Sequence, residues 1–530
     1  MVYLRRLLSS TFLHLLTWNL VVVASLSLAA PPDAIPHRLN VIDRLPDPLV
    51  ERIVVSLSAH EVLRAMELGA LTSEQYTEIL LRRIANNSRL NSVIHVQPEQ
   101  VIAAARVADE LRASGLATGA LHGLPILVKD SINTADLRTT IGTPALADFQ
   151  AESNAAVVQT LLDAGAILLG KTNLHELQAG YTTNNPFTGA TLNPYDFTRV
   201  PGGSSGGNGA ALAARLAPIA LGADTAGSVR VPSALNGVAG FRPTSSRYSQ
   251  AGIAPLSNTL DTTGPMARNV EDLALADSVI TGAPIGLDDV DLDGLRIGLP
   301  RAYFHDLIDH DVERALNRVF GELRAAGVDL VEVDLPQVGE LTRQASLAIS
   351  LFEAPRGLEE YLSANATGVS LTQLAGMVAS PDVAFLLSTA IAEPIPEDDY
   401  RAIILGLRPA LVSIYVNYID SNGLDAVIFP TNALPAPTLD AMSVVIEEVE
   451  MSVFDAYFRL GHYTPLVGAP TLTLPIGQLP GGLPVGGIDI AGVPGDDRRI
   501  LAIGAAIEKA LPRIRPPRNI RPVPIEGWHN

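Results

Sequence analysis

Short, wholly apolar runs alternate with helical stretches along much of this chain, and that alternation constrains its fold more than any other feature. Leu124-Pro-Ile-Leu-Val-Lys129, bounded by Gly123 and Asp130, reads as a buried strand, and Ala166-Ile-Leu-Leu-Gly170 as a second. Between them Val157 to Ala164 has helical character. The unit recurs with Leu295–Leu299, a helix from Asp311 to Ala326, and Asp329–Asp334. Further strands are expected at Ala426–Phe429, Thr471–Leu474 and Gly486–Ile490. Strands interleaved with helices in this way imply an α/β architecture on a largely parallel or mixed sheet.

Residues 58–115 precede that region and read as helical. Val62, Leu63, Met66 and Ala70 recur at helical spacing, and Thr72 with Gln75 matches a capping box. Val101 to Leu111 gives a third helix. Residues 340–420 are mostly helical and are placed to cover a pocket. With no linker and no internal repeat, residues 31–530 are expected to form one domain.

Charge and composition remove several functions. The chain carries 37 Lys+Arg against 56 Asp+Glu, a formal charge of −19. Its basic cluster beyond the N-terminus, Arg513 to Arg521, is short and interleaved with proline, so no nucleic-acid partner is expected. The absence of cysteine excludes thiolate catalysis, disulfides and zinc–cysteine sites. At the N-terminus Arg5 and Arg6 precede an apolar stretch from Leu7 to Leu28 that closes on Ala29 and Ala30. This layout predicts a signal peptide over residues 1–30, export to a periplasmic or extracellular space, and no stable membrane insertion after cleavage. The alternative is an uncleaved anchor, since the stretch is just long enough to span a bilayer.

The segment richest in chemistry is Pro201-Gly-Gly-Ser-Ser-Gly-Gly-Asn-Gly209, followed by an Ala-rich helix to Leu216. It lacks the Lys-Ser/Thr pair of a phosphate-binding loop. Gly203-Ser-Ser-Gly-Gly207 matches the pattern of a nucleophile elbow centred on Ser205, with His462 or His529 as partner. An elbow needs a buried strand directly before it, and Tyr195 to Pro201 is loop-like. Twenty residues after Ser204 comes Asp224-Thr-Ala-Gly-Ser228-Val-Arg230, a second small-residue turn ending in a serine. Such a turn can aim successive backbone N–H groups at one point, as oxyanion stabilisation requires, and Ser228 is then placed to attack the carbonyl so held. Asp224 and Arg230 bracket the turn and are expected to pair and brace it.

A serine nucleophile needs a base, and no histidine stands out. Lys129, at the end of a buried strand, is the candidate. Burial without a countercharge lowers a lysine pKa from its ordinary ~10.4 towards neutrality.

These motifs together resemble the amidase signature family, from about Ser58 to Leu511. They are GLPILVKD (123–130), GKTNLHE (170–176), NPYD (193–196), PGGSSGG (201–207), GADTAGSVRVP (222–232), GFRPT (240–244), FPT (429–431) and GLPVG (482–486). The resemblance implies a large mixed β-sheet core covered by helices on both faces. It implies Ser228 as the acylated serine, Ser204 as a bridging serine in a cis-type peptide, and Lys129 as the base. It also implies an oxyanion hole of the Thr225, Ala226, Gly227 and Ser228 N–H groups, with Ser205 in support. One departure is Ala226, where many relatives carry glycine; alanine fits there if it avoids positive φ. Arg247–Ile253 and Asp261–Gly264 are similar to mandelamide hydrolases and other aryl amidases.

The function so implied is hydrolysis of a small, aryl-type carboxamide to a carboxylic acid and ammonia or an amine, without metal or cofactor, by a monomer or homodimer. Residues 340–465 would supply the pocket. Carbamate or aryl-ester hydrolysis on the same machinery is the first alternative. A subunit of a tRNA-dependent amidotransferase is disfavoured by the export signal, and a non-catalytic binding protein by the intact Lys129, Ser204 and Ser228.

Overall fold

The computed structural model of the protein describes residues 47–117 and 119–523. The signal-peptide expectation for residues 1–30, and His529, lie outside them. The helix-start signal at Thr72 and Gln75 is realised. Thr72 Oγ1 accepts the Gln75 N–H at 3.0 Å while Gln75 Oε1 accepts the Thr72 N–H at 2.9 Å, opening the helix Ser73–Asn86. Ser58 and Glu61 do the same for Ala59–Glu67. Each reciprocal pair satisfies two donors that a helix N-terminus leaves free. The third predicted helix spans Pro98–Ala113.

An 11-stranded mixed sheet forms the centre of the molecule. Its strands are β1 (Val93–His95), β2 (Pro125–Lys129), β3 (Ile167–Thr172), β4 (Ile219–Asp224), β5 (Ala239–Arg242) and β6 (Thr262–Ala267), followed by β7 (Arg296–Gly298), β8 (Asp329–Val331), β9 (Ala426–Pro430), β10 (Thr471–Pro475) and β11 (Gly487–Ala491). They lie in the order β1-β3-β2-β4-β6-β5-β10-β11-β9-β7-β8. β2 runs parallel to both β3 and β4, and β7 runs parallel to both β8 and β9. The pairings from β4 through β6, β5, β10 and β11 to β9 are antiparallel. Every residue of β2, β4, β6, β9 and β11 is buried. Strands covered on both faces read as continuous apolar runs rather than alternating ones, which is why β2, β9 and β11 were visible in the sequence.

Four strands of this sheet were not. β1 is short, and β4 (IALGAD), β5 (AGFR) and β6 (TTGPMA) are interrupted by Ala, Gly and Pro, residues of weak strand preference. Close packing explains those residues. A Cβ on Gly264 would lie 2.1 Å from the Phe241 carbonyl oxygen, and one on Gly240 would lie 2.2 Å from Ser233 Oγ. At these two glycines the sheet leaves no room for a side chain, and propensity gives way to space.

The Ala-rich helix runs over Gly206–Ala213, three residues shorter than its expected end at Leu216. Residues 340–465 bring the helices Glu340–Ala364, Leu371–Met377, Pro381–Ala392 and Arg408–Asn422, a two-stranded hairpin, and the helix Val453–Gly461. Part of this region packs in an apolar cluster separate from the main core, where Leu358, Leu374 and Val383 meet Leu174 and Leu177.

Candidate active site

β2 and β4 are parallel neighbours, so their C-terminal ends arrive on the same side of the sheet. β2 ends on Lys129, and β4 runs directly into the turn that carries Ser228. Lys129 Nζ donates to Ser204 Oγ at 2.7 Å and approaches the Ala223 carbonyl at 3.4 Å. The Gly203–Ser204 peptide bond is cis. The two serine turns are tied together, because the Ser205 N–H donates to the Ser228 carbonyl and Ser205 Oγ donates to the Ala223 carbonyl, each at 3.2 Å.

Accessibility separates the three serines. Ser204 and Ser205 are completely buried, while Ser228 retains 5 % exposure beside Thr225 at 7 % and Ala226 at 6 %. These last three line a cavity whose remaining lining is largely apolar, with Gln178, Tyr181 and Ser350 as its polar members. Leu351 and Leu358 come from the helix Glu340–Ala364, Leu386 and Leu387 from Pro381–Ala392, and Phe454 and Phe458 from Val453–Gly461. Residues 340–465 therefore supply most of the wall. The elbow candidate Ser205 is buried beneath this surface, and the ring of His462 contacts Thr342, Phe458 and Arg459.

The turn is braced from below by charge. Asp224 Oδ2 accepts from Arg230 Nε at 3.1 Å, and Asp224 Oδ1 accepts from Arg242 Nη1 at 3.2 Å. The carboxylate also takes the N–H groups of Gly227 at 2.8 Å and Val229 at 3.1 Å. Burial alone would raise the Asp224 pKa, but the two guanidinium groups outweigh it and hold the carboxyl well below the usual range. Arg230 in turn reaches Asp489 Oδ2 at 2.9 Å.

One expected donor is thereby removed. The Gly227 N–H is committed to Asp224 Oδ1, at a residue with φ of 115°, so it does not serve the cavity. The N–H groups of Thr225, Ala226 and Ser228 make no hydrogen bond among the described residues. Ala226 avoids positive φ, the left-handed backbone falling on Gly227 instead, so alanine is accommodated.

Burial lowers the Lys129 pKa to about 7, against the opposing pull of Asp224 and Asp261. Lys171 makes a useful contrast. It is equally buried, yet its Nζ reaches the Ile132 carbonyl at 2.8 Å, Thr139 Oγ1 at 2.7 Å and Asp130 Oδ1 at 3.3 Å. A lysine with its donors filled by structural partners is a brace; Lys129, whose close partner is a hydroxyl, has chemistry available to it.

Sequence reasoning passed over three contributors. Asp261 Oδ1 accepts from Thr225 Oγ1 at 2.6 Å, Tyr181 OH donates to the Ala226 carbonyl at 2.7 Å, and Arg242 supports Asp224 from β5. Only Arg242 carried a signal: a charge inside the apolar GFRP segment requires a buried partner.

A buried lysine bonded to one serine, next to a turn that presents a second serine to a cavity, on a mixed sheet, is the class of site that these features define. A family model described as Amidase matches residues 75–501, and the chain belongs to that family. It is an amidase, a hydrolase of carbon–nitrogen bonds other than peptide bonds. Indoleacetamide hydrolase of Agrobacterium vitis is 41% identical over 408 residues, covering 77% of this chain and 87% of the relative. Mandelamide hydrolase of Pseudomonas putida is 38% identical over 459 residues, covering 84% and 89%. Among solved structures, the native peptide amidase of Stenotrophomonas maltophilia superposes with a TM-score of 0.75 at 30% identity, covering 87% of this chain and 98% of that one.

Proposed function

We propose that this amidase hydrolyses small aryl-substituted carboxamides, the indoleacetamide and mandelamide classes that its relatives are named for, through an acyl-enzyme on Ser228. The observation that carries the chemistry is the 2.7 Å contact between Lys129 Nζ and Ser204 Oγ beside the cavity-facing Ser228. In this reading neutral Lys129 takes the proton of Ser204 as Ser204 takes that of Ser228, and Ser228 Oγ adds to the amide carbon. The N–H groups of Thr225, Ala226 and Ser228 hold the developing oxyanion. The proton returns along the same relay to the leaving nitrogen, and ammonia or an amine departs from the ester left on Ser228. Water then adds to that ester with its proton taken by the relay, and the carboxylic acid leaves as Ser228 recovers its proton.

What supports an aryl substrate is the largely apolar lining of the cavity, which includes Phe454 and Phe458. Hydrolysis of indole-3-acetamide, mandelamide, phenylacetamide, acetamide and the matching carbamates and esters by purified enzyme tests it. The aryl amides are expected to have the highest kcat/KM; turnover of carbamates or esters alone would overturn the reading. We also propose export of the mature chain, supported by the residue pattern of 1–30. An N-terminal sequence still beginning at Met1 on protein recovered from the native host would refute it.

A further inference from the structure

The segment Gly170–Glu176 ends in a His-Glu pair that the hydrolytic reading leaves without a task. Both residues are buried, at 2 % and 0 % exposure. The His175 N–H donates to the Ser204 carbonyl at 3.1 Å, so the pair lies directly behind the proposed relay. Its ring is fixed on both sides. The Thr182 N–H donates to Nδ1 at 3.4 Å, which leaves the proton of the neutral ring on Nε2, and Nε2 donates to Asp382 Oδ2 at 3.1 Å. Gly180 packs on the ring so closely that a Cβ there would lie 2.4 Å from Nε2. The Glu176 carboxylate accepts the N–H of Ala379 at 3.0 Å and that of Ser380 at 2.6 Å.

Both anchors converge on the start of one helix, Pro381–Ala392. Its N-cap Ser380 makes no side-chain capping bond, so the Glu176 carboxylate supplies the negative charge that a helix N-terminus favours. That helix gives Val383, Leu387 and Ala390 to the cavity, and the residues just after the pair, Leu177 to Gly180, line the same cavity. Beneath the helix lies the small separate apolar cluster rather than the main core. A wall element packed on so little apolar surface owes its position to its polar anchors.

We propose that His175 and Glu176 are positioning residues for substrate selection, holding the helix Pro381–Ala392 through Asp382 and the Ala379–Ser380 backbone at the distance from Ser228 that fits an aryl group. The selection role rests on the aryl-amide reading above; the clamp does not. The test pairs hydrogen exchange of the amides of 383–392 with the ratio of kcat/KM for phenylacetamide over acetamide. It uses Asp382→Asn and Glu176→Gln, with Asp382→Glu as rescue. In both variants the exchange of this helix is expected to rise about tenfold, while the helix Gly206–Ala213 keeps its protection. The ratio is expected to fall about tenfold, through KM for the aryl substrate more than kcat, and to recover in Asp382→Glu. Unchanged exchange in variants of wild-type melting temperature overturns the clamp. Raised exchange with an unchanged ratio overturns the selection role. If the parent enzyme hydrolyses acetamide but not phenylacetamide, the aryl reading fails and takes the selection role with it, and the exchange result still decides the clamp.

Discussion

Lys129 and Ser204 meet through one short hydrogen bond, Nζ to Oγ at 2.7 Å, in a site from which water is largely excluded. The second partner of the lysine is a backbone carbonyl at 3.4 Å, and Asp224 and Asp261 act on it from a distance, without a hydrogen bond among the described residues. An amine in that setting is stabilised as the neutral form, and neutral is the form a base must take.

The rate should therefore climb as Lys129 loses its proton. Since burial brings its pKa to about 7, kcat/KM for an amide is expected to rise with pH through an acid limb near that value. Lys129→Arg should be inactive at every pH up to 10, because a guanidinium keeps its proton. Stopped-time assays in overlapping buffers measure both; a flat profile between pH 6 and 8 would remove Lys129 from the role of base.

Ser228 and Ser205 are distinguished by burial and should be distinguished by mutation. Ser228→Ala is expected to abolish labelling by a fluorophosphonate probe and to lower kcat by about 10⁴ or more. Ser205→Ala, which loses a hydrogen bond of 3.2 Å to the Ala223 carbonyl, should keep labelling at Ser228 and lose activity by about tenfold. Peptide mapping that finds the label on Ser205 would reverse the assignment.

Much of this site was legible because its chemistry is local. Lys129 closes an apolar strand, Ser204 sits in a glycine loop, and Ser228 ends a turn bracketed by Asp224 and Arg230. What was hidden depends on contacts far apart in the chain. His175 and Asp382 are 207 residues apart, and Arg230 and Asp489 are 259 apart, so neither pair leaves a spacing to read. The strand that delivers Ser228 was also hidden, because the Ala and Gly of Ile219–Asp224 satisfy packing rather than strand propensity. The excess oxyanion donor had a similar origin: a turn of four residues offers its N–H groups, and only the placement of Asp224 shows that Gly227 is already engaged.

Asp224 also predicts a stability effect. Its carboxylate is the shared counterion of the fully buried Arg230 and of Arg242. Asp224→Asn keeps the shape and removes the charge, leaving two buried guanidinium groups short of a partner, and should cost about 3–5 kcal/mol. Guanidinium chloride unfolding followed by far-ultraviolet circular dichroism reads the difference. A loss below about 1 kcal/mol would mean that Asp489 beside Arg230 and the Leu260 carbonyl at Arg242 suffice without the Asp224 charge.

Lys129 should make the folded protein pay for its own base. In the native state it gives up its proton near pH 7, whereas in the unfolded chain it holds the proton to its ordinary value of 10.5. Between those values the unfolded state binds more protons, so the contribution of this residue to stability rises with pH; below pH 7 its penalty is constant and full. Lys129→Met fills similar volume and carries no such term. The inactive variant is therefore expected to gain most over the parent at pH 6, with its advantage shrinking steadily as pH rises from 7 to 10. Unfolding free energies of the two proteins across that range measure the slope. Parallel curves would show that Lys129 keeps an ordinary pKa in the folded protein, and the relay would then lack its neutral base.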